Sequence, residues 1–452
     1  MEKYPIFRLV YMYLSRKIDQ ELAKWRDEKL GKPLLIQGAR QVGKSTAVRH
    51  LAEKFDHFLE VNFEEQQQVH SLFEGDLDPR QLCENLSLLY NVPILPGKTL
   101  LFFDEIQACL PAISALRFFY EKYPELHVIA AGSLLEFALA DLPSFGVGRI
   151  RSMFVYPFSF DEFLQANGEN LLLEAKRKAN PEHPLQEPIH QKLLGLLKRF
   201  LVLGGMPEVI ATYVQGHDLT RCGQVLDDLI TSLRTDFAKY RKNVPFLRIS
   251  EIFDSVIQQA GGKFVYAKAH SESNHKQIKE AVDILIMAGW VIPVTHSSSN
   301  GLPLGAESDA KKRKLNLLDT GIFQRILGLP MADILFQSDI EAINKGAIAE
   351  QFAGLEILKA GSCYRPEPLY FWQREAKSSN AEVDYVVQQG QKIIPVEIKS
   401  GRQGSMQSLH LFLQEKKSIY GVRFSLENFS TYNKIRVYPL YAVSDWMGAG
   451  AT

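Results

Sequence analysis

One octapeptide constrains this chain more than any other feature. Gly38-Ala39-Arg40-Gln41-Val42-Gly43-Lys44-Ser45 sits between an apolar run, Leu34–Gln37, and a helical-patterned stretch, Thr46–Lys54. It fits the G-x-x-x-x-G-K-[ST] pattern, in which a strand turns sharply into a helix. Gly38 and Gly43 let successive backbone N–H groups face phosphate oxygens, and the helix N-terminus adds positive partial charge at the same place. Lys44 is expected to reach the β- and γ-phosphates of ATP, Ser45 to hold Mg²⁺ through its hydroxyl, and Thr46 to line the nucleotide at the first helical turn. A strand–turn–helix of this kind belongs in a parallel sheet, so the fold class is α/β.

The stretch from residue 33 to about 162 agrees with that. Short apolar runs at Leu34–Ile36, Phe58–Val61, Thr99–Phe103, His127–Ala131 and Met153–Tyr156 alternate with helical segments, which is how buried parallel strands and crossover helices read. The third run ends in Asp104-Glu105. A buried strand delivers both acids to the sheet edge that carries the phosphate loop: Asp104 is expected in the Mg²⁺ shell, and Glu105 as the group that orients and deprotonates an attacking water. An adjacent acid pair favours hydrolysis over transfer to a second substrate. The fourth run leads into Gly132-Ser133, where Ser133 is either a contact to the γ-phosphate or water, or a plain helix cap. Gly148-Arg149 places an arginine on a loop, for the γ-phosphate in cis, for a neighbouring subunit in trans, or for structure alone.

With 452 residues the chain has room for two to four domains. The helical pattern of Tyr4–Leu14 makes residues 1–30 an N-terminal helix, and residues 31–165 make the nucleotide-binding core. Residues 166–243 are helical, with Leu171–Lys178 and Ile189–Leu203 the clearest pieces and a loop at Asn180–Pro188. Gly204-Gly205-Met206-Pro207 is expected to be a backbone turn. Residues 244–325 end in a helix at Ile278–Ala288, a glycine stop and the strand Trp290–Val294, the order of a small winged helix. Thr295–Lys314 would be its hairpin wing, carrying the basic run Lys311-Lys312-Arg313-Lys314, which suits phosphate contacts or a solvated hairpin equally.

Residues 335–445 read as a small α/β domain. Glu350 lies on its first helix, Asp384 on a strand, and Glu397-Ile398-Lys399 ends the next strand. Glu397 and Lys399, two residues apart, share a strand face. With Glu350 and Asp384 they would form a carboxylate pocket for divalent cations, with Lys399 activating water beside a scissile phosphate. This is the layout of a PD-(D/E)xK nuclease; ordinary salt pairs are the alternative.

Taken together, these motifs resemble a prokaryotic family of AAA-like P-loop ATPases. The likeness rests on Gly38–Ser45, Asp104-Glu105, Gly132-Ser133, Gly148-Arg149, Pro157-Phe158-Ser159-Phe160-Asp161-Glu162-Phe163 and Gly204–Pro207. It implies an AAA-like ATPase core, a helical lid and winged-helix middle, and a C-terminal domain of restriction-endonuclease-like (PD-(D/E)xK) fold.

Composition limits the partners. Lys plus Arg and Asp plus Glu are both 52, a net charge of zero, which excludes a uniformly basic coat but not a local groove. The four cysteines are scattered, without zinc-ligand spacing or a disulfide framework. No run is apolar enough to span a bilayer, so a cytoplasmic protein without membrane contact is expected. ATP and Mg²⁺ are the expected cofactors. Nucleic acid, with DNA the candidate, competes with a protein-binding switch as the use of the C-terminal part, and a homo-oligomer is left open.

Overall fold

The computed structural model describes residues 13–28, 31–141, 148–240, 244–269, 274–328, 346–375, 381–401 and 406–449. Most of the expected helix at Tyr4–Leu14 lies outside them; the described N-terminal helix is Lys17–Arg26.

Five strands, β1 (Leu34–Gln37), β2 (His57–Asn62), β3 (Thr99–Asp104), β4 (His127–Ala131) and β5 (Arg151–Phe154), form one sheet in the order β2-β3-β4-β1-β5. Every pairing in it is parallel. The inner strands β1, β3 and β4 are buried at almost every position because both faces are covered. Leu34, Ile36, Leu100 and Phe102 pack into one core, and Leu35, Leu101 and Phe103 into another on the opposite face. The edge strand β5 starts earlier than its apolar run implied. The Arg151 N–H donates to Pro33 O at 3.0 Å, and its guanidinium pairs with Glu28 at 2.5 Å, so a polar residue opens the strand.

The helices Asn170–Lys178, Glu187–Leu203, Pro207–Gly216 and Leu219–Tyr240 follow. The expected loop yields its last two residues to the Glu187–Leu203 helix, since a proline is tolerated in a first turn. The paired glycines make a close approach possible. Gly205 N–H donates to the Asp319 carboxylate at 2.6 Å, and Gly205 O accepts from Phe158 N–H at 2.7 Å. A Cβ on Gly205 would lie 2.3 Å from Phe158 O.

The second sheet has eight strands: β6 (Val291–Ser297), β7 (Ser308–Leu317), β8 (Leu369–Gln373), β9 (Glu382–Gln389), β10 (Lys392–Ile398), β11 (Gly421–Ser425), β12 (Ser430–Tyr432) and β13 (Ile435–Pro439), in the order β12-β13-β11-β10-β9-β8-β6-β7. This corrects the expectation of a wing. The helices Phe246–Gln258 and His275–Met287 do precede a hairpin, but β6 pairs in parallel with β8, Val294 opposite Leu369. The hairpin is therefore the edge of the C-terminal sheet, because β6 has an unpaired side that β8 satisfies. The helix Gly346–Ala360 is buried at every position from Ile348 to Leu358. It packs into the same core as the first sheet, with the Phe352 and Phe200 rings 6.1 Å apart.

Candidate functional site

The carboxyl edge of the first sheet is where the chemistry gathers. At Gly38 and Gly43 φ is +144° and +93°, conformations that suit glycine and turn the loop back around its own helix. Lys44 opens that helix. Its Nζ donates to Gly38 O at 2.9 Å and Ala39 O at 2.8 Å. Burial pulls the Lys44 ammonium down to about 8, opposed by the nearby Glu105 and Asp104 carboxylates. A phosphate would add counter-charge directly at this buried cation.

β3 ends beside it. Asp104 is buried, and burial raises its pKa while a hydrogen bond from the Ser45 hydroxyl lowers it. Ser45 and Asp104 thus meet as an all-oxygen pair, the donor type that hard Mg²⁺ takes. Glu105 follows in the left-handed region, φ +47°, a strained backbone for a non-glycine residue. Its carboxylate accepts from Gln107 Nε2 at 2.6 Å, which fixes where it points. A cavity of about 920 Å³ opens here, lined by Lys44, Ser45, Thr46, Glu105 and Ser133 on one side and by Tyr13, Pro207 and Asp236 on the other. That is within the roughly 300–1,000 Å³ of small-molecule sites.

Ser133 is buried at the cavity wall, and its Oγ accepts from Arg40 Nε at 3.1 Å. Arg149 is not among the cavity's lining residues; it pairs with Glu121 on the Leu110–Lys122 helix. Two arginines line the cavity, Arg16 and Arg40, and Arg40 comes from the phosphate loop itself. Its Nη1 donates to both Asp236 oxygens at 2.9 Å, and its Nη2 reaches Glu64 at 3.5 Å. Asp236 lies on the Leu219–Tyr240 helix, so one side chain joins the phosphate loop, Ser133 and the helical region.

The second arginine, Arg16, supports the loop from the N-terminal segment. Arg16 Nε donates to Glu162 at 2.9 Å, and its Nη1 and Nη2 donate to Val42 O and Tyr156 O. Glu162 also closes a capping box with Ser159. This explains the Pro157–Phe163 motif: it caps a helix and holds the N-terminal segment against the phosphate loop. Burial pushes the Glu162 carboxyl up, but Arg16 and the N–H groups of Ser159 and Lys17 outweigh that and hold it below the usual range.

The residues of the second expected constellation are held by ion pairs and hydrogen bonds, with an unexpected member. Glu397 accepts from Lys399 Nζ at 2.6 Å. One Asp384 oxygen accepts from Ile398 N–H at 2.7 Å. Between Asp384 and Glu350 lies Lys314, the last residue of the basic run. Its Nζ is 2.7 Å from Glu350, 2.5 Å from Glu382 and 3.8 Å from Asp384. Burial, then neighbouring carboxylates, raises Glu350 to about 8 and Glu397 to about 7, and the lysines oppose this. Among the described residues, no group of three or more His, Cys, Asp or Glu side chains is arranged to hold a metal ion. The rest of the basic run is also engaged: Lys312 pairs with Glu375 and Asp309, and Arg313 with Asp283.

Residues 30–164 match the family model of an AAA domain. Residues 194–333 and 345–443 match two domains of unknown function, DUF8612 and DUF4143. No curated protein sequence matches the chain. Among solved structures, the chain is similar to the Walker-type ATPase PabY2304 of Pyrococcus abyssi, at 13% identity and TM-score 0.44, over 70% of this chain and 96% of that one. It is also similar to the Aeropyrum pernix ORC1 protein in complex with DNA, at 12% identity and TM-score 0.28, over 73% and 97%. The replication initiator DnaA bound to AMPPCP and single-stranded DNA matches at 13% identity and TM-score 0.28, over 61% and 90%. No helix among the described residues is long and apolar enough to cross a membrane. With its parallel five-stranded sheet and phosphate loop, the segment 30–164 is similar to AAA-type P-loop domains.

Proposed function

We propose that this chain binds and hydrolyses ATP with Mg²⁺, and that the state of the nucleotide is passed through Arg40 to the helical region. The observation that carries the reading is the convergence of Lys44, Ser45 and Glu105 on one cavity at the carboxyl edge of a parallel sheet, with Asp104 hydrogen-bonded to Ser45. Ser45 and Asp104 would hold Mg²⁺, which supplies charge neutralisation at the β- and γ-phosphates. Lys44 leaves the loop carbonyls for phosphate oxygens. Glu105, held by Gln107, takes the proton of the attacking water. Ser133 stands beside it, and Arg40 exchanges Asp236 for the γ-phosphate, so that loss of that phosphate returns Arg40 to the Leu219–Tyr240 helix. Arg149, paired with Glu121 away from the cavity lining, would act on a neighbouring copy.

For the remainder, a switch acting on a protein partner is favoured over action on DNA. The basic run that motivated DNA turns inward at Lys314 and is ion-paired at Lys312 and Arg313. We read the acids and lysine of the C-terminal sheet as a nuclease-like layout without cleavage, supported by the lysine pairs of its carboxylates. The test is steady-state ATP turnover in Mg²⁺. The wild type should turn over and Lys44→Ala should not; equal turnover by both removes the assigned site.

A further inference from the structure

We propose that the carboxylate pocket of the C-terminal sheet is filled by the chain's own Lys314 and takes no divalent cation, so that it acts as an ionic joint. A nuclease of the implied layout needs a metal between Glu350, Asp384 and Glu397. Here the Lys314 side chain, 2% exposed, lies 2.7 Å from Glu350, 2.5 Å from Glu382 and 3.8 Å from Asp384. An ammonium has three N–H donors, and three carboxylates surround this one. The other acceptors are spoken for as well: Asp384 takes the Ile398 N–H, and Glu397 takes Lys399. Glu397 Oε2 is buried without a partner, but a cation there would lack a second carboxylate free of lysine, since Glu350 and Asp384 face Lys314. A divalent ion coordinated by Glu350 and Asp384 would sit against the ammonium, in a site with little water to screen the two charges.

Lys314 cannot simply swing aside. It sits in β7 opposite Val294 of β6, and its Nζ lies over the Phe371 ring at 5.3 Å from the centroid. Moving it means moving the hairpin. The joint therefore ties the hairpin of the middle segment to the Gly346–Ala360 helix and to β9. Trp290, which leads into that hairpin, donates from Nε1 to Tyr240 OH at 2.9 Å, on the helix that holds Asp236. The inference stands whether or not ATP is hydrolysed.

The test measures Mn²⁺ binding by electron paramagnetic resonance on the full chain without nucleotide. In the wild type, Asp384→Asn should leave Mn²⁺ binding unchanged. Lys314→Ala should gain one Mn²⁺ site, lost again in Lys314→Ala/Asp384→Asn, and Mn²⁺ should raise the Tm of Lys314→Ala more than that of the wild type or of the double variant. Wild-type Mn²⁺ binding that Asp384→Asn abolishes would overturn the proposal, as would a folded Lys314→Ala that gains no site. If Lys314→Ala does not fold, the wild-type and Asp384→Asn comparison decides alone.

Discussion

The Asp236→Asn substitution probes the link between nucleotide and helix most sharply. Arg40 gives both Asp236 oxygens a contact at 2.9 Å, with side-chain exposures of 20% for Arg40 and 10% for Asp236. A hydrogen bond to a charged group contributes about 1.5–3 kcal/mol, and the partial exposure of Arg40 places this pair near ~2 kcal/mol after screening. A γ-phosphate that captures Arg40 must give up that amount. Asparagine keeps the shape but removes the charge, so ATP should bind more tightly by up to about 30-fold, at ~1.4 kcal/mol per tenfold. ADP lacks the γ-phosphate and should change little. The assay is a titration of fluorescent ATP and ADP analogues in Mg²⁺, read as the ratio of the two Kd values. A general loosening of the helix would move both affinities together. An unchanged ratio would refute the exchange of Arg40 between carboxylate and phosphate.

Two further outcomes follow from the packing. Gly205→Ala puts a Cβ 2.3 Å from Phe158 O, a backbone clash that side-chain motion cannot relieve. A destabilisation of about 3 kcal/mol, by thermal or urea unfolding, is expected, and stability near wild type would show the turn to be pliable. Glu162, held below the usual carboxylate range, contributes stability that is fully present above the unfolded value near ~4.3. That contribution is lost as pH falls through its lower folded value. Trp25, buried on the helix that Arg16 caps, should become exposed in that acid range, seen as a fluorescence change absent in Trp25→Phe. A transition centred above pH 5 would point to another group.

The phosphate loop and the Asp104-Glu105 pair were legible because each is a short, contiguous pattern whose chemistry depends on its neighbours. Strand positions were legible where burial on both faces forced apolar runs, and less so at β5, where Arg151 opens an edge strand through a hydrogen bond that no periodicity records. Arg40 was visible within the loop motif, but its partner Asp236 lies 196 residues on, and nothing local marks it. The hairpin β6–β7 was legible as a hairpin, while its pairing with β8 depends on a contact more than seventy residues away. The basic run misled for a related reason. Four cations in a row read as a surface, yet strand alternation gives neighbours opposite faces, and Lys314 points into a core whose carboxylates come from other elements.

Single-turnover hydrolysis by Glu105→Gln tests the central claim most directly. ATP and Mg²⁺ are supplied to excess protein, and binding and phosphate release are measured on the same sample. Glutamine keeps the size of the side chain and its contact with Gln107 but cannot accept the water's proton. ATP should bind within a few-fold of wild type, and hydrolysis should slow by about 10²–10⁴-fold, the usual worth of a positioned general base. Hydrolysis at the wild-type rate by Glu105→Gln would contradict that claim.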